Sequence, residues 1–259
     1  RSSLVTGVQT CALPIYRRLF QLTSAVIVKN QTMRSRLIAL GAQPAHVLIS
    51  PSGADEQRFQ GATPASMPPR FLAVGRFVSK KGPLDTLEAF ALMRELTDKA
   101  DVCRLVMVGD GPLLAEARDR ARQLGLEQMV QFPGVLSPDA VAQQMRRARV
   151  FVQHSRTAED GDEEGCPVSV MEAQLCGLPV VATRHGGIPD VVVDQQTGRL
   201  VAEGDRHGMA EAMALLVDRP DLAGAWGAAG QRRARARFTV GHHVHQVSAL
   251  LHALVDRSQ

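Results

Sequence analysis

The sequence is poor in aromatic residues and has no long hydrophobic run. Only 4% of its 259 residues are aromatic, with one Trp and one Tyr. Base-stacking surfaces need aromatic side chains, and a membrane-spanning helix needs about 20 consecutive apolar residues. The formal net charge of +4 is spread along the chain, and the basic cluster at residues 232–237 is typical of a solvated helix face. These features argue against a nucleic-acid partner and against a transmembrane protein.

Cysteine is scarce, and its spacing fits no metal site. The four cysteines are Cys11, Cys103, Cys166 and Cys176. They form no C-x-x-C pair, so a structural zinc is not expected, and two of them fall in predicted strands or helices, which indicates reduced thiols in a cytosolic protein. Three histidines near the last predicted helix, His242, His243 and His245, fit a surface or interdomain face better than a metal site. We therefore expect no metal and no cofactor.

Two common nucleotide-binding fingerprints are absent. A dinucleotide fold needs G-x-G-x-x-G after its first strand, whereas Gly109 and Gly111 follow the second predicted strand and Leu114 stands where the third glycine belongs. The P-loop pattern G-x-x-x-x-G-K-[ST] does not occur. The sequence thus excludes a dinucleotide fingerprint and disfavours hydrolysis of a nucleoside triphosphate.

The first 15 residues look unlike evolved protein sequence. Residues 5–15 resemble the translation of a sequencing-adapter oligonucleotide, and Gly7 and Pro14 interrupt them. The stretch has neither a helical nor a strand period, so no regular element is predicted there. Residues 1–15 are interpreted as a non-native leader, with an ordinary flexible terminus as the alternative.

Short apolar runs alternate with helical segments along most of the chain. Residues 16–67 hold a strand, a helix and a second strand, followed by a segment rich in Pro, Ala and Gly, and are predicted to be a remnant of an N-terminal domain plus a linker. The predicted strands of the main unit are residues 71–74, 104–108, 130–132, 150–153 and 180–183. Near-continuous apolar strands alternating with helices predict an α/β fold, with a Rossmann-like parallel sheet flanked by helices, over residues 68–238. A C-terminal helix, residues 239–259, follows.

Every predicted strand of this sheet is followed by glycine, by a charged residue or by both. Ligands of parallel sheets collect outside the carboxyl ends of the strands. At the carboxyl end of the first strand, Arg76 can bind phosphate oxygens through two parallel hydrogen bonds, and Lys81 adds a mobile positive charge. This edge suits a polyanionic ligand that also carries hydroxyl groups.

Two carboxylates, Glu164 and Glu172, bracket the start of a predicted helix. Pro167 suits the first turn of that helix and Gly177 suits its end. One interpretation is a capped surface helix, in which the two glutamates have no further role. In the context of the other strand ends, the free amides of the first turn favour a phosphate site. Glu172 can then accept hydrogen bonds from ribose, and Glu164 from a sugar beyond the phosphates.

Five motifs occur together in a fixed order. They are Gly75-Arg76-x4-Lys81-Gly82, Val108-Gly109-Asp110-Gly111-Pro112, Glu164-x7-Glu172, Gly177-Leu178-Pro179-Val180-Val181 and His185-Gly186-Gly187-Ile188-Pro189. This set resembles the C-terminal, donor-binding half of the family 4 retaining glycosyltransferases of the GT-B fold. The resemblance implies transfer of a hexose from a nucleoside-diphosphate sugar to an acceptor hydroxyl with retained configuration and without a metal. Residues 161–167 are similar to members that act in bacterial exopolysaccharide or lipopolysaccharide assembly, which implies a glycan or lipid-linked acceptor.

The resemblance also implies roles for particular residues. Arg76 and Lys81 would hold the diphosphate, and Glu164 would bind the donor sugar near the reacting carbon. The implied donor-binding set is Gly75, Gly109, Gly111, Gly134, Val135, Gly165, Cys166, Pro167, Val168, Ser169 and Glu172. Of these, Gly134 and Val135 would line the base, the amides of Val168 and Ser169 would meet the distal phosphate, and Cys166 would serve as a small apolar residue.

The chain departs from the family in what precedes the donor half. Members have a whole N-terminal domain for the acceptor, toward which the C-terminal helix packs, so the chain is expected to bind donor but to transfer poorly. The resemblance implies a cytoplasmic enzyme, with peripheral association of the full-length protein at the inner membrane face as a further expectation. A nucleotide-sugar epimerase of the GT-B fold and a non-catalytic nucleotide-binding module are the alternatives.

Overall fold

Eighteen helices and strands make up the described part of the chain. The structure is a computed structural model that describes residues 5–256, with side chains from residue 14 onward. In chain order the elements are α1 (Val5–Leu22), β1 (Val26–Val28), α2 (Gln31–Ala39), β2 (Val47–Ile49), β3 (Arg70–Val74), α3 (Pro83–Arg94), β4 (Arg104–Val108), α4 (Leu114–Gln123), β5 (Val130–Gly134), α5 (Pro138–Arg146), β6 (Val150–Gln153), α6 (Val168–Cys176), β7 (Val180–Thr183), α7 (Ile188–Val191), β8 (Gly198–Val201), α8 (Arg206–Asp218), α9 (Pro220–Arg237) and α10 (Val240–Asp256).

Six parallel strands form the central sheet in the order β5-β4-β3-β6-β7-β8. Their register aligns Phe71 with Leu105 and with Val150. One apolar core lies on each face of the sheet, around Phe90 on one side and around Met171 on the other. Because both faces are covered, the strands are continuous apolar runs, and this confirms the predicted α/β fold with a Rossmann-like parallel sheet.

A smaller unit precedes this sheet. Strands β1 and β2 pair in parallel, and α2 packs beside them over a small core that includes Val28 and Val47. Ala54 and Phe59 are buried in the core of the larger unit instead. The predicted domain boundary near residue 68 stays a prediction, while the packing places residues 54 and 59 with the large sheet.

The C-terminal helix α10 begins against the end of the smaller unit. The Oγ of Ser50 lies 2.7 Å from Nδ1 of His243, and the amide of Val240 donates to the carbonyl of Ala54. No described residue of α10 is buried, and its outer face carries the exposed side chains Val244 and Leu251. The helix thus meets the smaller unit at its first turn.

Four local features of the structure differ from the predictions or were not predicted. Residues 5–22 form α1, although no regular element was predicted for residues 5–15. The packing of Phe20 on the small core and its stacking on Tyr16 favour a helix despite Pro14. Strand β8, with Gly198 and Arg199 at its start, and the four-residue α7 were not predicted. Pro167 is the N-cap of α6 and not part of its first turn, with an extended ψ of 105°. The predicted non-native leader lies partly outside the described residues and stays a prediction.

Candidate active site

The carboxyl ends of β3, β4 and β5 meet in a glycine-lined corner. A Cβ atom built on Gly109 would lie 2.0 Å from the carbonyl oxygen of Gly75, at a φ of +136°, so only glycine fits. The amide of Gly109 donates to the carbonyl of Gly134, 2.9 Å away, and Gly111 packs its backbone against the carbonyl of Phe77. Three predicted glycines, at 75, 109 and 134, are therefore neighbours at the open edge of the sheet.

Lys81 lines this corner together with Gly75 and forms an ion pair with Glu164. The Nζ of Lys81 contacts Oε2 of Glu164, and the two side chains are 17% and 11% exposed. The aliphatic part of Lys81 lies 3.5 Å from the position of a Cβ on Gly75. The loop turns at Gly82, where a Cβ would be 2.0 Å from the carbonyl oxygen of His154. The structure thus brings together two side chains for which sequence predicted separate roles.

Arg76 lines the same cavity as Gly75 and Lys81 and is exposed. Within residues 14–256 it forms no ion pair with a carboxylate, whereas the neighbouring Lys80 pairs with Asp162 at 2.9 Å. The hydrogen bond from Lys80, with a smaller contribution from Arg76, lowers the pKa of Asp162. As far as the chain is described, Arg76 is therefore an unpaired cation in the lining of this corner.

The N-terminus of α6 is linked to Gln153, which lines the same cavity as Arg76 and Lys81. Its N-cap Pro167 has no side-chain hydrogen bond to the first turn, and Val168 at that end is exposed. The hydroxyl of Ser169 donates to Oε1 of Gln153 at 3.2 Å, which ties the helix start to the end of β6. Uncapped amides and the helix dipole favour an anion here.

Glu172 lies in the second turn of α6 and is half-buried. Burial raises its pKa to about 7, while the charge of Arg58 acts in the opposite direction. The carboxylate is thus close to half-protonated at neutral pH.

Val135, the predicted base-lining residue, is 74% exposed after the end of β5.

Cys166 packs against the core beside α6. Burial, with smaller contributions from Asp190 and Glu164, raises the pKa of its thiol to about 11. A thiol with that pKa is almost wholly protonated at neutral pH and is a poor nucleophile. Cys103 and Cys176 are free and buried, and Cys11 lies outside the described side chains.

Three contacts at the site were missed from sequence. The side chain of Asn30 caps α2 by accepting from the amide of Met33, and its Nδ2 donates to the carbonyl oxygen of Gly165. Arg36 makes a bidentate pair with Glu163, with N–O distances of 2.7 and 2.9 Å. His185 accepts a hydrogen bond from the amide of Glu164. The sequence indicates an N-cap at Asn30, but the residue that accepts from its Nδ2, Gly165, lies 135 residues away and could not be predicted.

Comparison with known proteins decides the family. A family model described as glycosyl transferases group 1 matches residues 54–233. The chain belongs to the group 1 glycosyltransferases. The matched residues contain Arg76, Lys81, Glu164 and Glu172 and exclude β1, α2 and β2.

Several curated relatives of this group 1 glycosyltransferase are identical to it at about a third of the aligned residues. The protein named colanic acid biosynthesis glycosyltransferase WcaL of Salmonella typhimurium is 33% identical over 203 residues, covering 78% of this chain and 49% of its own length. A GDP-mannose-dependent alpha-(1-6)-phosphatidylinositol monomannoside mannosyltransferase of Mycobacterium tuberculosis is 32% identical, covering 88% of this chain and 61% of its own. The chain thus spans about half the length of the first of these relatives.

Solved glycosyltransferases show the same architecture. Anabaena HepE, solved in complex with UDP-glucose, matches 97% of this chain and 70% of its own with a TM-score of 0.79 at 22% identity. At that identity the likeness establishes the fold, which is that of GT-B glycosyltransferases.

The described residues contain neither a candidate metal site nor a candidate membrane-spanning helix. No group of three or more His, Cys, Asp or Glu among side chains 14–256 has the arrangement to hold a metal ion. None of the described helices is both long and apolar enough to cross a membrane.

Proposed function

We propose that this group 1 glycosyltransferase chain binds a nucleoside-diphosphate sugar and serves the transfer of its hexose to an acceptor hydroxyl with retained configuration. The observation that supports the proposal is the Lys81–Glu164 ion pair. Arg76 and the start of α6, which has no side-chain cap, add to it. This corner pairs cations for a diphosphate with a carboxylate for sugar hydroxyls, and both lie at the carboxyl edge of a parallel sheet.

The chemistry follows from the charge that develops on the leaving group. As the bond from the anomeric carbon to the phosphate oxygen breaks, the nucleoside diphosphate gains negative charge. Arg76, Lys81 and the amides of Val168 and Ser169 would stabilise that charge, so no metal ion is needed. Glu164 would hold sugar hydroxyls near the reacting carbon, and Glu172 would accept from the ribose.

The biological setting of the proposal comes from the relatives. One is named for colanic acid biosynthesis and another, AmsK of Erwinia amylovora, for amylovoran biosynthesis. We propose the same class of product here, a bacterial cell-surface polysaccharide or glycolipid, made on a glycan or lipid-linked acceptor in the cytoplasm or at the inner membrane face. We further propose that these 259 residues alone bind donor but transfer poorly.

Calorimetric titration with UDP, UDP-glucose, GDP and GDP-mannose in the presence of EDTA tests this proposal. We expect saturable binding to one nucleotide pair. Lys81→Ala should weaken binding of the bare diphosphate about tenfold, since a charge-assisted contact is lost. Lys80→Ala is the matched control: it removes the same charge from the next residue, which pairs with Asp162.

The variant Glu164→Gln distinguishes recognition of the sugar from binding of the diphosphate. Its carboxylate neutralises Lys81 in the free protein, so the variant should keep or tighten binding of the bare diphosphate while losing the preference for the sugar nucleotide. Absence of saturable binding to all four ligands would overturn the proposal. Interconversion of sugar nucleotides without an acceptor would instead identify an epimerase.

A further inference from the structure

Glu203, in the turn between β8 and α8, is linked by hydrogen bonds to both ends of the loop that carries Glu164. Its Oε2 accepts a hydrogen bond from the amide of Thr157 at 2.8 Å. Its Oε1 lies 2.6 Å from Nδ1 of His185, whose Nε2 accepts from the amide of Glu164 at 2.9 Å. One carboxylate therefore holds the loop at residue 157 directly and at residue 164 through an imidazole.

The hydrogen bonds define the state of the imidazole. An amide always donates, so Nε2 of His185 carries no proton, and Nδ1 must carry the proton that is donated to Glu203. The ring is 2% exposed and is held at both nitrogen atoms. The carboxylate of Glu203 thus fixes the tautomer and the orientation of the imidazole ring.

The backbone of Glu164 is confined on its carbonyl side as well. A Cβ atom on Gly186 would lie 1.9 Å from the carbonyl oxygen of Glu164, so the two backbones are in direct contact. The amide of Gly204, next to Glu203, donates to Nε2 of His154 at 2.9 Å and ties the same turn to the end of β6. Residues 159–162 between these fixed points are exposed.

The Glu203 carboxylate is suited to accept two hydrogen bonds. Burial by itself would raise its pKa, but the hydrogen bonds from His185 and Thr157 hold the pKa below its usual value. The group is thus ionised at neutral pH and has acceptor oxygens for both donors. The two donors reach different oxygens of Glu203, and the amide NH2 of a glutamine would face one of these donors, so a glutamine cannot accept at both positions.

From this geometry we infer that Glu203, acting through His185, is a positioning residue that fixes the Glu164 loop for recognition of the donor sugar. The inference rests on the proposed function, because it takes the sugar of a nucleotide-sugar donor as the group that the loop recognises. Among the described side chains, Glu203 is hydrogen-bonded to His185 and not to a predicted donor-binding residue; it acts on the backbone that carries Glu164.

The test compares Glu203→Gln with the wild-type chain and with Glu211→Gln. Glu211 is an exposed acid of α8, so that control makes the same change in charge away from the loop. With UDP, UDP-glucose, GDP and GDP-mannose as probes, Glu203→Gln should weaken sugar-nucleotide binding about tenfold and leave the bare diphosphate within twofold. In a Glu164→Gln background, Glu203→Gln should have no further effect on that preference.

Equal weakening of diphosphate and sugar nucleotide, or additive effects in the double variant, would overturn the inference. Hydrogen exchange provides a readout that needs no ligand: Glu203→Gln should speed exchange of the Thr157 and Glu164 amides at least about tenfold, and Glu211→Gln should not. Unchanged exchange overturns the positioning role. A wild-type chain that binds none of the probes overturns the proposed function and the sugar-recognition role with it, while faster exchange would still establish the contact.

Discussion

The half-buried carboxylate of Glu172 should give the protein a distinctive dependence of stability on pH. Its pKa in the folded chain is about 7, against an ordinary value of 4.5, because burial penalises the charged form. The folded state therefore holds the proton more tightly than the unfolded state does. The stabilising effect of that proton is complete below about pH 4.5 and is lost as the pH rises through about 7. A difference of this size corresponds to about 3 kcal/mol of unfolding free energy.

Urea unfolding of the wild-type chain and of Glu172→Gln between pH 5 and 8 measures this effect. The variant removes the titrating proton and keeps the shape of the side chain, so its stability relative to the wild type should increase with pH and level off above about 7. Burial lowers the pKa of His154 and of His243, but both occur in each protein and cancel in the difference. A flat difference curve between pH 5 and 8 would refute the reasoning about Glu172.

Three further predictions concern other parts of the site. Gly109→Ala should destabilise the chain by about 3 kcal/mol or more in urea unfolding, because its Cβ would lie 2.0 Å from the carbonyl oxygen of Gly75; a change below 1 kcal/mol would contradict the close approach. Cys166, with a pKa of about 11, should react with iodoacetamide at least about tenfold more slowly in the folded than in the unfolded chain, as peptide mass spectrometry would show. Asn30→Ala should cost about 1–3 kcal/mol, since it removes a helix cap and the hydrogen bond to Gly165; Asn30→Asp, which keeps the cap alone, should recover part of this.

The central sheet could be predicted because its strands are buried on both faces. Strands such as β4, residues 104–108, are continuous apolar runs, and helices with clear end signals separate them. Strand β8 lies at the edge of the sheet and begins with Gly198 and Arg199, so its sequence lacks that signal. Helix α7 is a single turn, too short for any hydrophobic period. Helix α1 depends on the tertiary contacts of Phe20 with the smaller unit.

The site was predictable where the chemistry is local in sequence. The glycines and cations after β3 and β4 were identified because chain direction places all carboxyl ends on one edge. The ion pair between Lys81 and Glu164 joins two motifs whose residues were assigned to different parts of the ligand. The contacts of Glu203 with Thr157 and His185 carry no sequence signal, because a hydrogen bond between distant residues depends on packing alone.

The ion pair itself gives a reason for preferring a sugar nucleotide to a bare diphosphate. In the free protein Lys81 and Glu164, both largely buried, neutralise each other. A diphosphate that draws Lys81 away leaves the carboxylate of Glu164 without its partner, and an unpaired charge in a largely buried position is costly. A donor that brings phosphates for Lys81 and hydroxyls for Glu164 satisfies both groups at once. Within the described side chains Arg76 has no carboxylate partner to give up, so it should attract either ligand alike, and selectivity should reside in the pair.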